Sequence, residues 1–185
     1  MARAMLADQF PQVQVEVVDT QNVSLCQGWM VIEAARAALA GANLEQVTEL
    51  VRQMIPVTRM IQTADTLKYL YMGGRIGMAK RLVGSLLNIR PLIGMKDGLI
   101  VALGQAHSRM QAYKEMGDYV REAVGQNQVK IAYVHAGALE EVQKLRQIVE
   151  SNLNVVESLV AELSPALAVH TGPGTTGVCF YFVER

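Results

Sequence analysis

The chain has 185 residues, of which 51% are hydrophobic and only 5% aromatic, and its 17 Lys plus Arg balance 17 Asp plus Glu. That length carries one large or two small domains, whose core must be built from aliphatic side chains. Charge neutrality argues against a phosphate-backbone partner.

The N-terminal residues Met1–Asp8 are too short and too soon acidic for a signal peptide. No uncharged stretch reaches membrane-spanning length. Cys26 and Cys179 form no CxxC pair and read as reduced thiols packed as small apolar groups. Together these features predict a cytoplasmic protein.

Val13–Val18 is β-branched and partly alternating, which predicts a strand ending at the polar turn Asp19–Asn22. Gly28–Leu39 is apolar on nearly every face and predicts a buried helix. Asn43 with Gln46 forms a capping box that opens a helix bearing Val47, Leu50, Val51 and Met54 on one stripe. Pro56 lies just past its end. Thr58–Thr63 predicts a strand, after which Asp65 is placed to cap a short helix that Gly73-Gly74 ends.

Met78–Leu87 carries apolar residues at helical spacing. Leu92–Met95 and Leu99–Leu103 flank the hairpin signal Lys96-Asp97-Gly98. Ser108 with Gln111 repeats the capping pattern before a helix ending near Gly125. Val129–Val134 predicts a strand, Leu139–Leu153 an amphipathic helix, and Val155–Leu163 and Val178–Val183 two further strands. Alternating helices and strands predict an α/β architecture. A soft boundary near Pro56 divides residues 1–56 from 57–185.

Two glycine-rich signatures carry chemistry. Gly73-Gly74-Arg75-Ile76-Gly77 reads either as a helix C-cap with Arg75 solvated, or as a turn placing the planar guanidinium on a carboxylate or phosphate. His170-Thr171-Gly172-Pro173-Gly174 lacks the Lys-Ser/Thr ending of a Walker motif. It reads either as a turn before an edge strand or as a ligand loop, with His170 at the mouth of a buried element. His107 and His135 read as structural histidines. No histidine has a carboxylate at ligand spacing, so no metal site is expected. Met30, Met54, Met78 and Met95 are assigned to the core.

Taken together, Val17-Val18-Asp19-Thr20, Ser24–Gly28, Asp65-Thr66-Leu67, Gly73–Gly77, Leu86–Pro91 and His170–Gly174 resemble the DegV family over nearly the whole chain. The resemblance implies a bacterial fatty-acid-binding protein, with no catalysis or cofactor of its own, that presents an acyl chain to a fatty acid kinase. It further implies two α/β domains: here, a remnant of an N-terminal parallel-sheet domain followed by a complete two-layer α/β domain. Arg75 and His170, with the Thr171-Gly172 turn, would belong to the carboxylate's hydrogen-bond network, and the helix Met78–Leu87 would form a tunnel wall.

The family's earlier hydroxyl motifs have no counterpart in this sequence, so half a site is expected. The expectations include a fragment or mis-started reading frame, with a solitary strand and an exposed apolar helix that favour self-association. Two rival readings stand beside this one. In one, an enzyme acts on a phosphorylated small molecule with His170 as acid or base; in the other, the chain is a structural remnant without ligand.

Overall fold

The computed structural model describes residues 9–79 and 89–183. Its elements are α1 (Ser24–Leu39), α2 (Leu44–Met54), β1 (Thr58–Thr63), α3 (Lys68–Met72), β2 (Arg90–Lys96), β3 (Leu99–Ala106), α4 (Arg109–Val124), β4 (Gln128–His135), α5 (Leu139–Glu150), β5 (Asn154–Glu162), α6 (Pro165–Thr171) and β6 (Thr176–Val183). The six strands form one sheet in the order β3-β2-β1-β6-β4-β5. Only β4 and β5 are parallel, joined through α5; all other neighbours are antiparallel.

Local chemistry sets the boundaries. Asn43 and Gln46 complete the capping box reciprocally, each side chain accepting the other's backbone N–H at 2.9 Å. Ser108 accepts the Gln111 N–H, while Gln111 Oε1 takes the His107 N–H instead of closing the box. Asp97 and Gly98 both have positive φ, 52° and 74°, as a two-residue hairpin turn requires.

The period-2 alternation of the central strands distributes side chains to both faces. Ile61, Ile131, Tyr133, Val178 and Phe180 pack under α4 and α5, against Tyr113, Met116, Val120, Val142 and Leu145. Met60, Ala132, Val134, Cys179 and Tyr181 point the other way, against Cys26, Trp29 and Met30 of α1 and Met54 of α2. Trp29 Nε1 donates to the Cys179 carbonyl at 3.4 Å, and its ring meets Tyr181 edge-on at 5.7 Å. The Cys26 thiol, fully buried, donates to the Arg59 carbonyl at 3.3 Å. Both cysteines are free and buried, as expected.

Three expectations need correction. Residues 13–18 form no strand; a strand needs a neighbour to satisfy its backbone groups, and among the described residues none pairs with it. The helix expected from Gly28 starts at Ser24 and is buried on one face only, since Val31 and Leu39 are exposed. Met78 is exposed rather than core. Most of the expected helix Met78–Leu87 lies outside the described residues, from position 80 on.

An ion network ties the outer face of α1 to the sheet. Arg36 grips Glu157 of β5 with two nitrogens, at 2.7 and 2.8 Å, and also Glu33 at 2.7 Å. Lys130 of β4 reaches Glu33 at 2.7 Å and Glu157 at 3.3 Å. The hydrogen bonds from Arg36, reinforced by Lys130, hold the Glu157 carboxyl at about 2, below the usual 4.5. The folded value lies below the unfolded one, so this stabilisation is complete above about pH 4.5 and fades as pH falls toward 2. Glu157→Gln should therefore lower the neutral-pH melting temperature slightly and flatten its decline between pH 5 and about 2. Fluorescence of Trp29, the chain's single tryptophan, reads this directly at the α1–sheet contact; parallel wild-type and mutant profiles would exclude the network as a contributor.

Candidate functional site

On the α1 side of the sheet a cavity of about 350 Å³ opens between the two glycine-rich turns. Its apolar lining comes from Val23 before α1, Met60 of β1, Leu70 of α3, Met95, Leu99 and Ile100 of the β2–β3 hairpin, and Leu163 and Leu167 around α6. Its polar lining is Ser24, Gln62, Arg75, His170 and Thr171. The volume falls within the range of small-molecule sites, and a mostly apolar wall with few polar groups is their usual character.

The turns meet because each presents a glycine to the other's side chain. Leu67, Leu70 and Ile76 bury α3 and its following turn against Ile93. The helix ends at Gly73, and Gly74 takes a φ of 65°. A methyl group at Gly73 would lie 2.3 Å from His170 Nδ1, so only glycine lets the imidazole settle there. Reciprocally, α6 ends at Gly172, whose φ is 84°, and a methyl group there would fall 2.3 Å from the Tyr69 ring. Gly172 thus shapes the site sterically, while His170 and Thr171 line it.

The polar groups are left with capacity to spare. His170 Nδ1 and Thr171 Oγ1 are buried and have no hydrogen-bond partner among the described residues. Such atoms cost free energy unless a partner or water satisfies them. Arg75, on the exposed rim, spends one N–H on the Gly73 carbonyl at 3.1 Å and, among the described residues, makes no other hydrogen bond with its fork. The set can therefore donate to an anionic oxygen while the adjoining wall accepts an apolar body.

Sequence reasoning singled out Arg75, His170, Thr171 and Gly172, and the fold brings all four to this junction. It missed Ser24 and Gln62, which reach the cavity through the packing of α1 and the face alternation of β1. It also missed α6, because the run after Pro165 is short and apolar. His135 ends β4, where its Nδ1 accepts the Ala138 N–H at 3.3 Å, the structural role expected. Asp65 does not cap α3. Leu67 holds the cap position, and the Asp65 carboxylate instead binds the guanidinium groups of Arg90 and Arg109. Among the described residues no cluster of His, Cys, Asp and Glu is suited to a metal ion, and no helix is long and apolar enough to cross a membrane.

Residues 1–183 match the family model described as "uncharacterised protein, DegV family". A DegV domain-containing protein of Deinococcus radiodurans is 33% identical over 176 residues, covering 95% of this chain and 63% of its own. One from Streptococcus pyogenes is 31% identical over 179 residues, covering 96% and 62%. Among solved structures, a fatty-acid-binding DegV family protein from Thermus thermophilus superposes with a TM-score of 0.90 at 34% identity, over 98% of this chain and 66% of that one. A stearic-acid-binding protein from Eubacterium ventriosum superposes at 0.88 with 24% identity, over 98% and 64%, a likeness of fold. The chain thus spans about three-fifths of the length of the curated relatives it matches.

Alanine at Gly172 incurs both a strained backbone and a collision with Tyr69; alanine at Gly41, with φ of 94° and open space around it, incurs only strain. Gly172→Ala should destabilise by about 2–4 kcal/mol, against about 1 kcal/mol for Gly41→Ala. Equal denaturant midpoints for the two variants would show that the turns are not in tight contact.

Proposed function

The chain belongs to the DegV family, and from that membership and the cavity between its two turns we propose that it binds a long-chain fatty acid. Arg75, His170 and Thr171 face the carboxylate. Met60, Leu70, Met95, Leu163 and Leu167 line the path of the acyl chain. The observation that carries this reading is that Arg75, His170 and Thr171 line one cavity with an aliphatic wall, and that His170 Nδ1 and Thr171 Oγ1 have no partner among the described residues.

The energetics suit a divided site. A carboxylate leaving water must regain its hydrogen bonds, and a charge-assisted donor is worth about 1.5–3 kcal/mol. Each buried methylene adds about 0.8 kcal/mol. The thioethers of Met60 and Met95 adapt to an irregular chain. No covalent step is assigned to the protein: it acts as a carrier that offers its ligand to a partner kinase in the cytoplasm. The cavity here is one wall of the site. The relatives' further two-fifths would supply the facing wall and additional carboxylate donors, with residues 1–56 ending that first domain and residues 57–185 forming the second. The exposed Val31 and Leu39 of α1 suit a face that such a segment, or a second copy of the chain, would cover.

Organic extraction of the purified protein followed by mass spectrometry should recover a fatty acid in sub-stoichiometric to equimolar amount. His170→Ala should weaken equilibrium binding of a fluorescent C16 fatty acid by about tenfold or more, and Arg75→Ala by about three- to tenfold. Arg75→Ala should leave the melting temperature nearly unchanged, while His170→Ala, which removes the imidazole packed on Gly73, should lower it modestly. A wild-type protein that neither carries nor takes up fatty acid would end this reading.

A further inference from the structure

The segment leading into the first turn and the segment leaving the second are joined behind the cavity by one side chain that does not line it. Arg109 opens α4. Its Nη2 donates to Asp65 Oδ1, in the segment leading into α3 and the Gly73–Arg75 turn. Its Nη1 donates to the Gly174 carbonyl at 2.9 Å, in the segment leaving α6 and the His170–Gly172 turn. The same Nη1 reaches Tyr113 Oη at 3.3 Å, which donates to Glu141 at 3.1 Å and accepts from Thr176 Oγ1 at 3.4 Å. Arg90 shares Asp65 Oδ1 without touching the second turn.

We propose that Arg109 is a positioning residue, a single guanidinium that staples the two glycine-rich turns together and thereby sets the separation of Arg75 and His170. One planar fork with several fixed N–H directions can bind a carboxylate and a carbonyl at once, which a lysine ammonium on a flexible stem does poorly. The Arg109 side chain is 22% exposed and its Asp65 partner 46%, so water partly screens the carboxylate bond, while the bond to the Gly174 carbonyl is part-buried. The contact is close from both sides: a methyl group at Gly174 would lie 3.0 Å from Asp65 Oδ2 and 3.3 Å from Arg109 Nη2. Tyr113, anchored by Glu141 and Thr176, fixes the guanidinium in turn. Correct spacing of donors is what a carboxylate site needs, since an unsatisfied donor left beside a bound ligand costs as much as a lost bond.

The test uses the full chain with Arg109→Lys, Arg109→Met and, as control, Arg121→Gln, an exposed α4 residue that pairs with Asp118 on its own helix. Amide hydrogen exchange is followed in peptides covering residues 65–75 and 170–176, with β4 as internal reference. Arg109→Met should accelerate exchange in both turns together by about tenfold while β4 is unchanged; Arg109→Lys should give a smaller rise of the same pattern, and Arg121→Gln less than twofold. Exchange unchanged in either turn, or raised evenly across the chain, overturns the proposal. A second arm rests on the fatty-acid reading: affinity for the fluorescent C16 fatty acid should fall about tenfold in Arg109→Met. Absence of binding by the wild type counts against that reading alone, because the exchange arm still decides the staple. Should Arg109→Met fail to fold, Arg109→Lys decides it.

Discussion

The close approach of α3 and α6 is the contact on which the site depends. These helices come from the two ends of the sheet-forming sequence, and each stops at a glycine that the other's side chain occupies. Without Gly73 there is no room for the His170 imidazole, and without Gly172 none for the Tyr69 ring. Everything else that defines the cavity follows from this meeting. The β2–β3 hairpin supplies its apolar edge, α1 presents Ser24 at its margin, and the buried donors of His170 and Thr171 are stranded beside it. Removal of side-chain volume, rather than addition of a functional group, is what creates the opening.

The sheet makes this junction possible by its order. Thr63 at the end of β1 stands directly opposite Thr176 at the start of β6. The chain therefore leaves one strand and enters the other at the same edge of the molecule, and the turns preceding α3 and following α6 are forced into proximity. Charge is then used locally rather than globally. The net charge is zero, yet the cations Arg90 and Arg109 converge on Asp65, and Arg36 and Lys130 on Glu33 and Glu157. The first group lies behind the turns and the second secures α1, so neither is spent inside the cavity itself.

What the sequence disclosed was whatever is specified by neighbours along the chain. The Asn43–Gln46 box, the Asp97-Gly98 hairpin and the alternating strands β4 and β6 were legible because capping and pleat periodicity act over a few residues. Arg75 and His170 were legible as donors beside glycines, and the two turns together suggested one polar cradle; the fold brings both residues to one cavity. Three features were not legible. Val13–Val18 has strand chemistry, but pairing is a property of partners and not of propensity. The short helix α6 carries too few turns for a periodic signal. Asp65 looked like a cap because Asp is a good one; its true partners are 25 and 44 residues away and are chosen by strand order.

The placement of β6 has a consequence for how the molecule comes into being. As the ribosome delivers the chain, β1, β2 and β3 are made before the β4–α5–β5 unit. Yet these two halves share no strand pair until Thr176–Val183 emerges to separate and join them. Until then both halves present a bare inner edge, the kind of surface on which nascent chains cross-associate. Closure of the sheet and burial of Trp29 against Tyr181 and Cys179 must therefore wait until β6 has been made, and until then β1 and β4 are the edges a nascent-chain chaperone would meet.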